Sequence, residues 1–138
     1  MSKMLSKCPV LVKYKSVLLE NERATMKAIS LKQPWANMIA DGEKTIETRT
    51  WPTNHRGELL ICSSKKPDID PAGCAVAVCR LVDCRPMTAA HAEAACCDVY
   101  PKAWAWFLED VLRIDPFDVK GQLGLYDVDV TGKIDPLI

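Results

Sequence analysis

A short polar run in the first half of the chain brings several reactive side-chain types together. Lys44, Thr45, Glu47 and Arg49 supply a cation, a hydroxyl, a carboxylate and a guanidinium. In a β-strand, residues 45, 47 and 49 share one face. An arginine fork can pair with a phosphate or a base edge, and a lysine beside a carboxylate can transfer protons. The run therefore indicates a polar pocket, with Lys44 and Glu47 as the candidate catalytic pair.

Aromatic and polar residues on both sides of this run extend the candidate site. Trp35 and Trp51 offer flat faces on which a base can stack. The remaining candidates for binding RNA or another ligand are Lys32, Gln33, Thr45, Arg49, Arg56, Ser63 and Lys65. Structural roles remain open alternatives. Glu47 and Arg49 could form only an internal ion pair, the tryptophans could pack at the core or its rim, and Ser63 could simply end a strand.

The elements that must position these side chains follow from turn residues and hydrophobic spacing. Strands are predicted over residues 27–31, 57–63, 74–83 and 123–130. A helix is predicted from Pro34 to Asp41, because proline is favoured at the first helical position and Gly42 can close the helix in a left-handed cap. Lys44 lies between this helix and a following strand. A second helix, capped by Thr88, is predicted to run to about Cys96.

Residues 103–114 are ambiguous from their pattern alone. The apolar residues that recur there at helical spacing are Trp104, Phe107, Leu108, Val111 and Leu112. Alternate residues from Trp104 to Leu108 would instead line one face of a strand, and the order of the neighbouring elements favours that strand. In either case, several strands with two short helices and no strand–helix alternation predict an α+β domain built on a small β-barrel.

The charge of the chain is balanced overall but uneven along its length. The chain has 138 residues, which suits one compact domain, and it carries 18 basic and 18 acidic residues. Residues 1–66 hold twelve basic and six acidic residues, whereas residues 67–138 hold six basic and twelve acidic residues. A basic half can attract phosphates while the whole chain stays neutral. This distribution fits a polyanionic partner and also fits an ordinary solvated surface.

Several classes of protein are not indicated by the sequence. No apolar run approaches the roughly 18 residues of a membrane helix. The apolar run that precedes Lys13 is too short for a signal-peptide core. Four cysteines lie among apolar residues and are predicted to be buried and reduced: Cys62, Cys74, Cys79 and Cys84. We therefore expect a cytoplasmic protein without membrane association, and no residue spacing calls for a metal or a cofactor.

Several linked motifs occur in order along the chain. They are Lys32-Gln33-Pro34-Trp35, the run from Gly42 to Arg49, Arg56-Gly57, and a late stretch from Lys120 to Gly124. In these motifs the chain resembles the ASCH domain family, a branch of the PUA-like barrel superfamily. The resemblance implies a barrel of about six strands with two or three short flanking helices, and it treats residues 103–114 as mostly strand. It places an ASCH domain at residues 26–138.

Residues 1–25 lie outside this resemblance and are interpreted as an N-terminal extension. They end just before Met26. We expect an appended segment or an extra edge strand that adds little to the core.

The resemblance also implies a cleft lined by the Gly-x-Lys-Thr-x-Glu-x-Arg motif, with RNA binding as one family role and hydrolysis of RNA or a nucleoside as another. In one branch, the small N4-acetylcytidine amidohydrolases, Lys44 would be the catalytic lysine. That branch has a threonine at the position of Glu47 and a catalytic glutamate at the position of Ala95, with Glu93 nearby in this chain. We expect a module that binds RNA or a nucleotide-like ligand through Lys44, Glu47 and Arg49. The alternatives are a hydrolase that uses Lys44 and Glu47, and a scaffold that binds only protein.

Overall fold

The computed structural model describes Tyr14 and residues 24–137. In this part of the chain, six strands form one sheet: β1 (Thr25–Leu31), β2 (Ile46–Arg49), β3 (Gly57–Ser63), β4 (Cys74–Pro86), β5 (Trp104–Asp118) and β6 (Tyr126–Asp129). The order across the sheet is β2-β5-β4-β3-β1-β6. β1 and β3 run parallel, and every other neighbouring pair is antiparallel. The sheet curls into a half-barrel, which confirms the predicted α+β fold of about six strands.

Short helical elements flank the sheet: α1 (Trp35–Ala40), a 3-10 turn (Ala89–His91) and α2 (Ala92–Ala95). α1 begins directly after Pro34, and Gly42 follows it with a φ angle of 85°, as the sequence predicted. The helix expected after Thr88 is divided between the turn and α2, and it ends at Cys96. Within the described residues, no helix is both long and apolar enough to cross a membrane.

The observed strands follow the predicted ones most closely where turn residues mark their ends. β3 has the predicted bounds, and β4 continues three residues beyond the prediction to Pro86. The last strand is shorter than predicted, because residues 123–125 form a loop before β6. Gly124 in this loop has a φ angle of 68°, and the side chain of Leu123 is 99% exposed.

The ambiguous segment is a strand, β5, as the family resemblance implied. Its large buried side chains, Trp106, Leu108, Leu112 and Ile114, all occupy alternate positions as in a strand, and the small Ala105 is buried as well. Phe107 and Val111 are partly buried, and each packs against a hydrophobic cluster. Because both faces of β5 carry apolar side chains, the sequence of the strand imitates the spacing of a helix.

The described core consists of three hydrophobic clusters, and one of them includes a residue from the N-terminal segment. Tyr14 is fully buried, and its hydroxyl donates a hydrogen bond of 3.0 Å to the carbonyl of Asp110. The expectation that residues 1–25 add little to the core is therefore wrong at Tyr14. For residues 1–13 and 15–23, that expectation lies outside the described part of the chain.

The ends of several strands converge at one place. The amide of Ser64, just after β3, donates to the carbonyl of Leu31 at the end of β1, at 2.8 Å. Gly73, just before β4, donates to the carbonyl of Ser63 at 2.9 Å, and Val119, just after β5, donates to that of Gly73 at 3.0 Å. These bonds hold four strand ends together beside the pocket described below.

Candidate functional site

A pocket of about 1020 Å³ lies where these strand ends converge. The predicted site residues that line it are Lys32, Trp35, Lys44, Glu47, Arg49, Trp51, Ser63 and Lys65. They come from the residues after β1, the start of α1, the junction before β2, β2 itself, and the end of β3. Residues of the Gly42 to Arg49 run therefore lie at a pocket in the folded protein.

Three of the predicted site residues do not line this pocket. Gln33 is buried, and its Oε1 accepts a hydrogen bond of 3.0 Å from the amide of Asn37 in α1. Thr45 precedes β2 and is exposed, with its amide bound to the carbonyl of Ala94. The guanidinium of Arg56 donates to two carbonyls of its own loop. Gln33 and Arg56 through their side chains, and Thr45 through its backbone amide, thus make hydrogen bonds to nearby parts of the fold. The residue types alone do not reveal these bonds.

Lys44 is almost completely buried, with 1% of its surface exposed. Its ammonium donates a hydrogen bond to the carbonyl of Ala95, the last residue of α2. The same ammonium lies 3.7 Å from Oε1 of Glu47. A buried ammonium is tolerated only when it is paired and hydrogen-bonded, and Lys44 has both partners. Its charge is therefore engaged by the protein at the inner wall of the pocket.

Glu47 and Arg49 form the internal ion pair that was one of the alternatives read from the sequence. Arg49 Nε lies 3.0 Å from Glu47 Oε2, and the amide of Thr48 donates to Glu47 Oε1 at 3.0 Å. Arg49 Nη2 donates to the carbonyl of Ser30 at 2.8 Å. These bonds fix the guanidinium while about a quarter of the Arg49 side chain stays exposed. Among the described residues Nη1 has no partner, so a fixed donor edge faces the pocket.

Trp51 and Trp35, the two predicted stacking residues, differ in how tightly they are packed. Trp51 packs edge-on against the buried ring of Trp106, with 4.9 Å between ring centroids, and its carbonyl accepts a hydrogen bond from Trp106 Nε1. Trp51 therefore belongs partly to the rim of the core, as the structural alternative held. Trp35 is 38% exposed and lines the pocket at the start of α1. Trp35 therefore presents an open aromatic face at the pocket.

Sequence reasoning missed several residues of the pocket wall: Ser30, Thr48, Cys97, Tyr100, Lys120, Gln122 and Tyr126. Lys120 stands in the late motif that supported the family resemblance, so a signal for it was available. Gln122 stands in the same late motif, and Thr48 lies within the Gly42 to Arg49 run itself. Only the folded sheet brings Ser30, Cys97, Tyr100 and Tyr126 near Lys44, and no spacing rule within the sequence connects these four to the run.

Part of the pocket wall is polar but uncharged. The hydroxyls of Ser30 and Tyr126 lie 2.6 Å apart in a hydrogen bond. Burial raises the pKa of the Tyr126 phenol above its usual range. Burial also raises the pKa of the Cys62 thiol to about 12. Both groups are therefore neutral at physiological pH, and the charges of the pocket come from its lysines, Arg49 and Glu47.

The cysteines are less uniformly buried than predicted. Cys62 and Cys79 are buried, but Cys74 and Cys84 are only half-buried, because they lie near the two ends of β4. All six described cysteines are free. In the described part of the chain, no three His, Cys, Asp or Glu side chains are grouped so that they could hold a metal ion.

Comparison with known proteins places this fold and motif in context. Residues 29–118 match the model of the ASCH domain. Over 80 aligned residues the chain is 32% identical to human "Activating signal cointegrator 1" and 30% identical to its mouse counterpart. Each match covers 41% of this chain, and the chain spans only 14% of the length of these relatives.

Solved structures show the same fold at lower sequence identity. The crystal structure of ASCH from Zymomonas mobilis superposes with a TM-score of 0.54 at 19% identity, covering 67% of this chain and 73% of that one. A point mutant of the same Zymomonas mobilis protein superposes with a TM-score of 0.56 at 17% identity, covering 72% and 85% of the two chains. At this level of identity the superpositions establish the fold alone.

Proposed function

The chain belongs to the ASCH domain family, and on that premise we propose that it binds RNA or a nucleotide-like ligand in the pocket between the strand ends. The observation that carries the proposal is the fixed donor edge of Arg49 beside an exposed tryptophan face, Trp35, in one pocket. A planar guanidinium suits a phosphate or a base edge. An exposed aromatic face suits a stacked base.

The buried charges support binding in preference to hydrolysis. Lys44 is bound to the carbonyl of Ala95, and both oxygens of Glu47 accept hydrogen bonds from protein groups. Ala95 is buried beside Lys44, at the position where the resemblance to the amidohydrolase branch implies a catalytic glutamate, and Glu93 is exposed and outside the pocket. No second carboxylate lines the pocket among the described residues. We therefore assign Lys44 and Glu47 to the architecture of a binding site.

The proposal is tested by fluorescence anisotropy with a labelled pool of single-stranded RNA. Binding is expected in about 50 mM salt and is expected to weaken roughly 7- to 20-fold by about 200 mM for two or three contacted phosphates, since each neutralised phosphate releases counterions. Trp35→Ala should weaken binding roughly 5- to 150-fold, the equivalent of one lost base stack, whereas Trp35→Phe should retain most of the affinity. Absence of binding at low salt would overturn the proposal and favour a scaffold that binds only protein.

Glu47→Gln separates binding from hydrolysis. A binding site for phosphate should retain its affinity for RNA in this variant, because the substitution removes a negative charge from the pocket. A hydrolase that uses Glu47 as general base should instead lose about 100-fold or more in rate while it still binds RNA. RNA cleavage by the unmodified protein that disappears in Glu47→Gln would replace our proposal with the hydrolase.

We also propose the cytoplasm as the location of the protein. The support is that all six described cysteines are free, although Cys74, Cys84, Cys96 and Cys97 are partly accessible. Accessible thiols persist most readily where glutathione and thioredoxin keep them reduced. Imaging of the tagged full-length chain in cells would test this location.

A further inference from the structure

Three lysines at the pocket come from three different strand ends. Lys32 directly follows β1, Lys65 lies two residues after β3, and Lys120 lies two residues after β5. All three side chains are exposed. None of them forms an ion pair with another described residue, although other surface cations of the chain do. The convergence of the strand ends therefore gathers three uncompensated positive charges around one pocket.

Lys65 and Lys120 each lie next to a glycine whose lack of a side chain allows close packing. A Cβ atom at Gly73 would lie 3.0 Å from Lys65 Cγ, so the aliphatic stem of Lys65 rests against the bare backbone there. A Cβ atom at Gly121 would lie 3.1 Å from the hydroxyl of Ser30, so the loop that carries Lys120 lies tightly against the end of β1. The segments that bear Lys65 and Lys120 are thus held against the pocket, which lowers the entropy lost when a ligand binds.

The charge of the pocket exceeds what one phosphate requires. Besides the three lysines, Arg49 presents a donor edge, and the buried Lys44 adds a further positive charge. The only acidic side chain that lines the pocket among the described residues is Glu47, which is paired with Lys44 and Arg49. Charges supplied from separate strand ends match an anion whose negative charges are also spread along its length.

The volume of the pocket is also larger than a single nucleotide would fill, and its rim offers apolar surface. Small-molecule pockets occupy about 300 to 1,000 Å³, and this one is at the top of that range, at about 1020 Å³. If one nucleotide takes the lower end of the range, the volume admits up to about three. Trp35 and the fully exposed Leu123 give the rim apolar surfaces against which unpaired bases can pack.

We infer that the occupant of the pocket is a single-stranded segment of two or three linked nucleotides whose phosphates are bound by Lys32, Lys65 and Lys120. This inference rests on the function proposed above and specifies its ligand. A mononucleotide would leave most of the lysines without an anion. A duplex would hide the bases from Trp35 and Leu123, because its bases are already stacked and paired.

The inference is tested with a length series of 5′-phosphorylated RNA, from one to six nucleotides, titrated by calorimetry against the full chain. Affinity is expected to rise at least about tenfold from one nucleotide to three, on the scale of base stacking, and to change little from three to six. For the trinucleotide, three bound phosphates predict a roughly 20-fold loss of affinity between about 50 and 200 mM salt. A matched duplex should bind more weakly than the single strand.

Alanine variants of the three lysines identify the phosphate contacts. Lys32→Ala, Lys65→Ala and Lys120→Ala should each reduce the slope of log affinity against log salt by about 0.7. Lys66→Ala is the matched control, because Lys66 is the exposed neighbour of Lys65 and does not line the pocket. Its slope should equal that of the unmodified protein.

Three outcomes are kept apart by this design. Equal affinity for one nucleotide and three, or a continued rise from three to six, would overturn the inferred length while RNA binding itself stands. Unchanged salt slopes in the three lysine variants would overturn the assigned phosphate contacts. A failure of every oligonucleotide to bind would overturn the proposed function together with this inference.

Discussion

Lys44 carries a charge that is almost wholly withdrawn from water, and its partners are groups of the protein. The ammonium binds the carbonyl of Ala95 and faces Glu47 at 3.7 Å, while Glu47 is also held by Arg49. A buried charged network is stable only when every member is satisfied. Lys44 therefore ties the end of α2 to the start of β2, and this tie keeps the adjoining pocket wall in place.

The first prediction follows from this burial. Lys44→Ala should destabilise the protein by on the order of 3 kcal/mol, because it leaves the buried carbonyl of Ala95 without its donor and removes one of the two cations that neutralise Glu47. In a domain of this size the loss corresponds to a fall in melting temperature of roughly 10 °C. Lys44→Met, which keeps the aliphatic stem, should lose nearly as much. A melting temperature unchanged in Lys44→Ala, with RNA binding abolished, would show that Lys44 serves the ligand directly.

At the scale of the elements, the loops after β3 and β5 form part of the pocket wall. Gly73 combines a φ angle of 70° with close contact to the stem of Lys65. Gly132 has nearly the same backbone angle, 67°, but a Cβ atom there would have no neighbour within 4 Å, and the residue lies outside the pocket. The two glycines thus share a left-handed backbone and differ in what a side chain would displace.

We predict that Gly73→Ala and Gly132→Ala will lower stability by similar amounts, about 1–2 kcal/mol, the cost of a left-handed backbone in a residue with a side chain. Only Gly73→Ala should weaken RNA binding, by several-fold, because its methyl group pushes Lys65 from its position. Thermal melts and anisotropy titrations of both variants measure the two effects. Equal affinity in the two variants would show that the position of Lys65 does not matter.

The sequence predicted these elements where local signals were strong. β3 was found between turn residues, and α1 between Pro34 and Gly42. β5 could not be separated from a helix by pattern alone, since apolar residues lie on both of its faces. The parallel pairing of β1 with β3 leaves no local signal, because it joins strands about thirty residues apart through the register of Ala28 with Leu60.

The candidate site was predictable to a similar extent. The Gly42 to Arg49 run supplied Lys44, Glu47 and Arg49 together, because they lie within six residues. It did not reveal that Lys44 is buried, since burial depends on α2, about fifty residues away. Thr45 was included by strand alternation, but β2 begins only at Ile46. Tyr100 and Tyr126 line the pocket only because of the folded sheet, and their place there was not predicted from the sequence.

At the scale of the whole molecule, Tyr14 joins the N-terminal segment to the rest of the domain. Its side chain is fully buried in the cluster that also contains Leu60 and Val78, and its hydroxyl binds the carbonyl of Asp110. Removal of a large buried ring leaves a cavity, and the free-energy loss from the cavity adds to the loss of buried apolar surface.

A chain that starts at Met26 should therefore be destabilised by about 3–5 kcal/mol, the usual loss for a buried aromatic side chain. Tyr14→Ala in the full chain should account for most of this loss. Tyr14→Phe should lose only about 1 kcal/mol, the contribution of one hydrogen bond. Urea unfolding of the three proteins measures these values. Full stability in the shortened chain would show that Tyr14 is dispensable and that residues 1–25 are a simple extension.

The buried thiols make the stability of the whole domain depend on pH in the alkaline range. Burial raises the pKa of Cys62 from 9.0 to about 12, and burial also raises the pKa of Cys79. Above pH 9 the unfolded chain releases these two protons, whereas the folded chain retains them. The unfolded state is then favoured as the pH rises, so the stability is fully present below pH 9 and declines above it.

Each thiol should lower the free energy of unfolding by about 1.4 kcal/mol for every pH unit above 9, until the pH approaches its folded pKa. Two thiols together predict a loss of roughly 5 kcal/mol by pH 11, a large part of the stability of an ordinary domain. Urea unfolding at pH 7 to 11 measures this slope. The double variant Cys62→Ala and Cys79→Ala will start from a lower stability, because it creates cavities, but its slope between pH 9 and 10 should be much flatter. An equal slope in the variant would mean that other groups control alkaline unfolding, with the buried phenol of Tyr14 as the next to test, because burial raises its pKa as well.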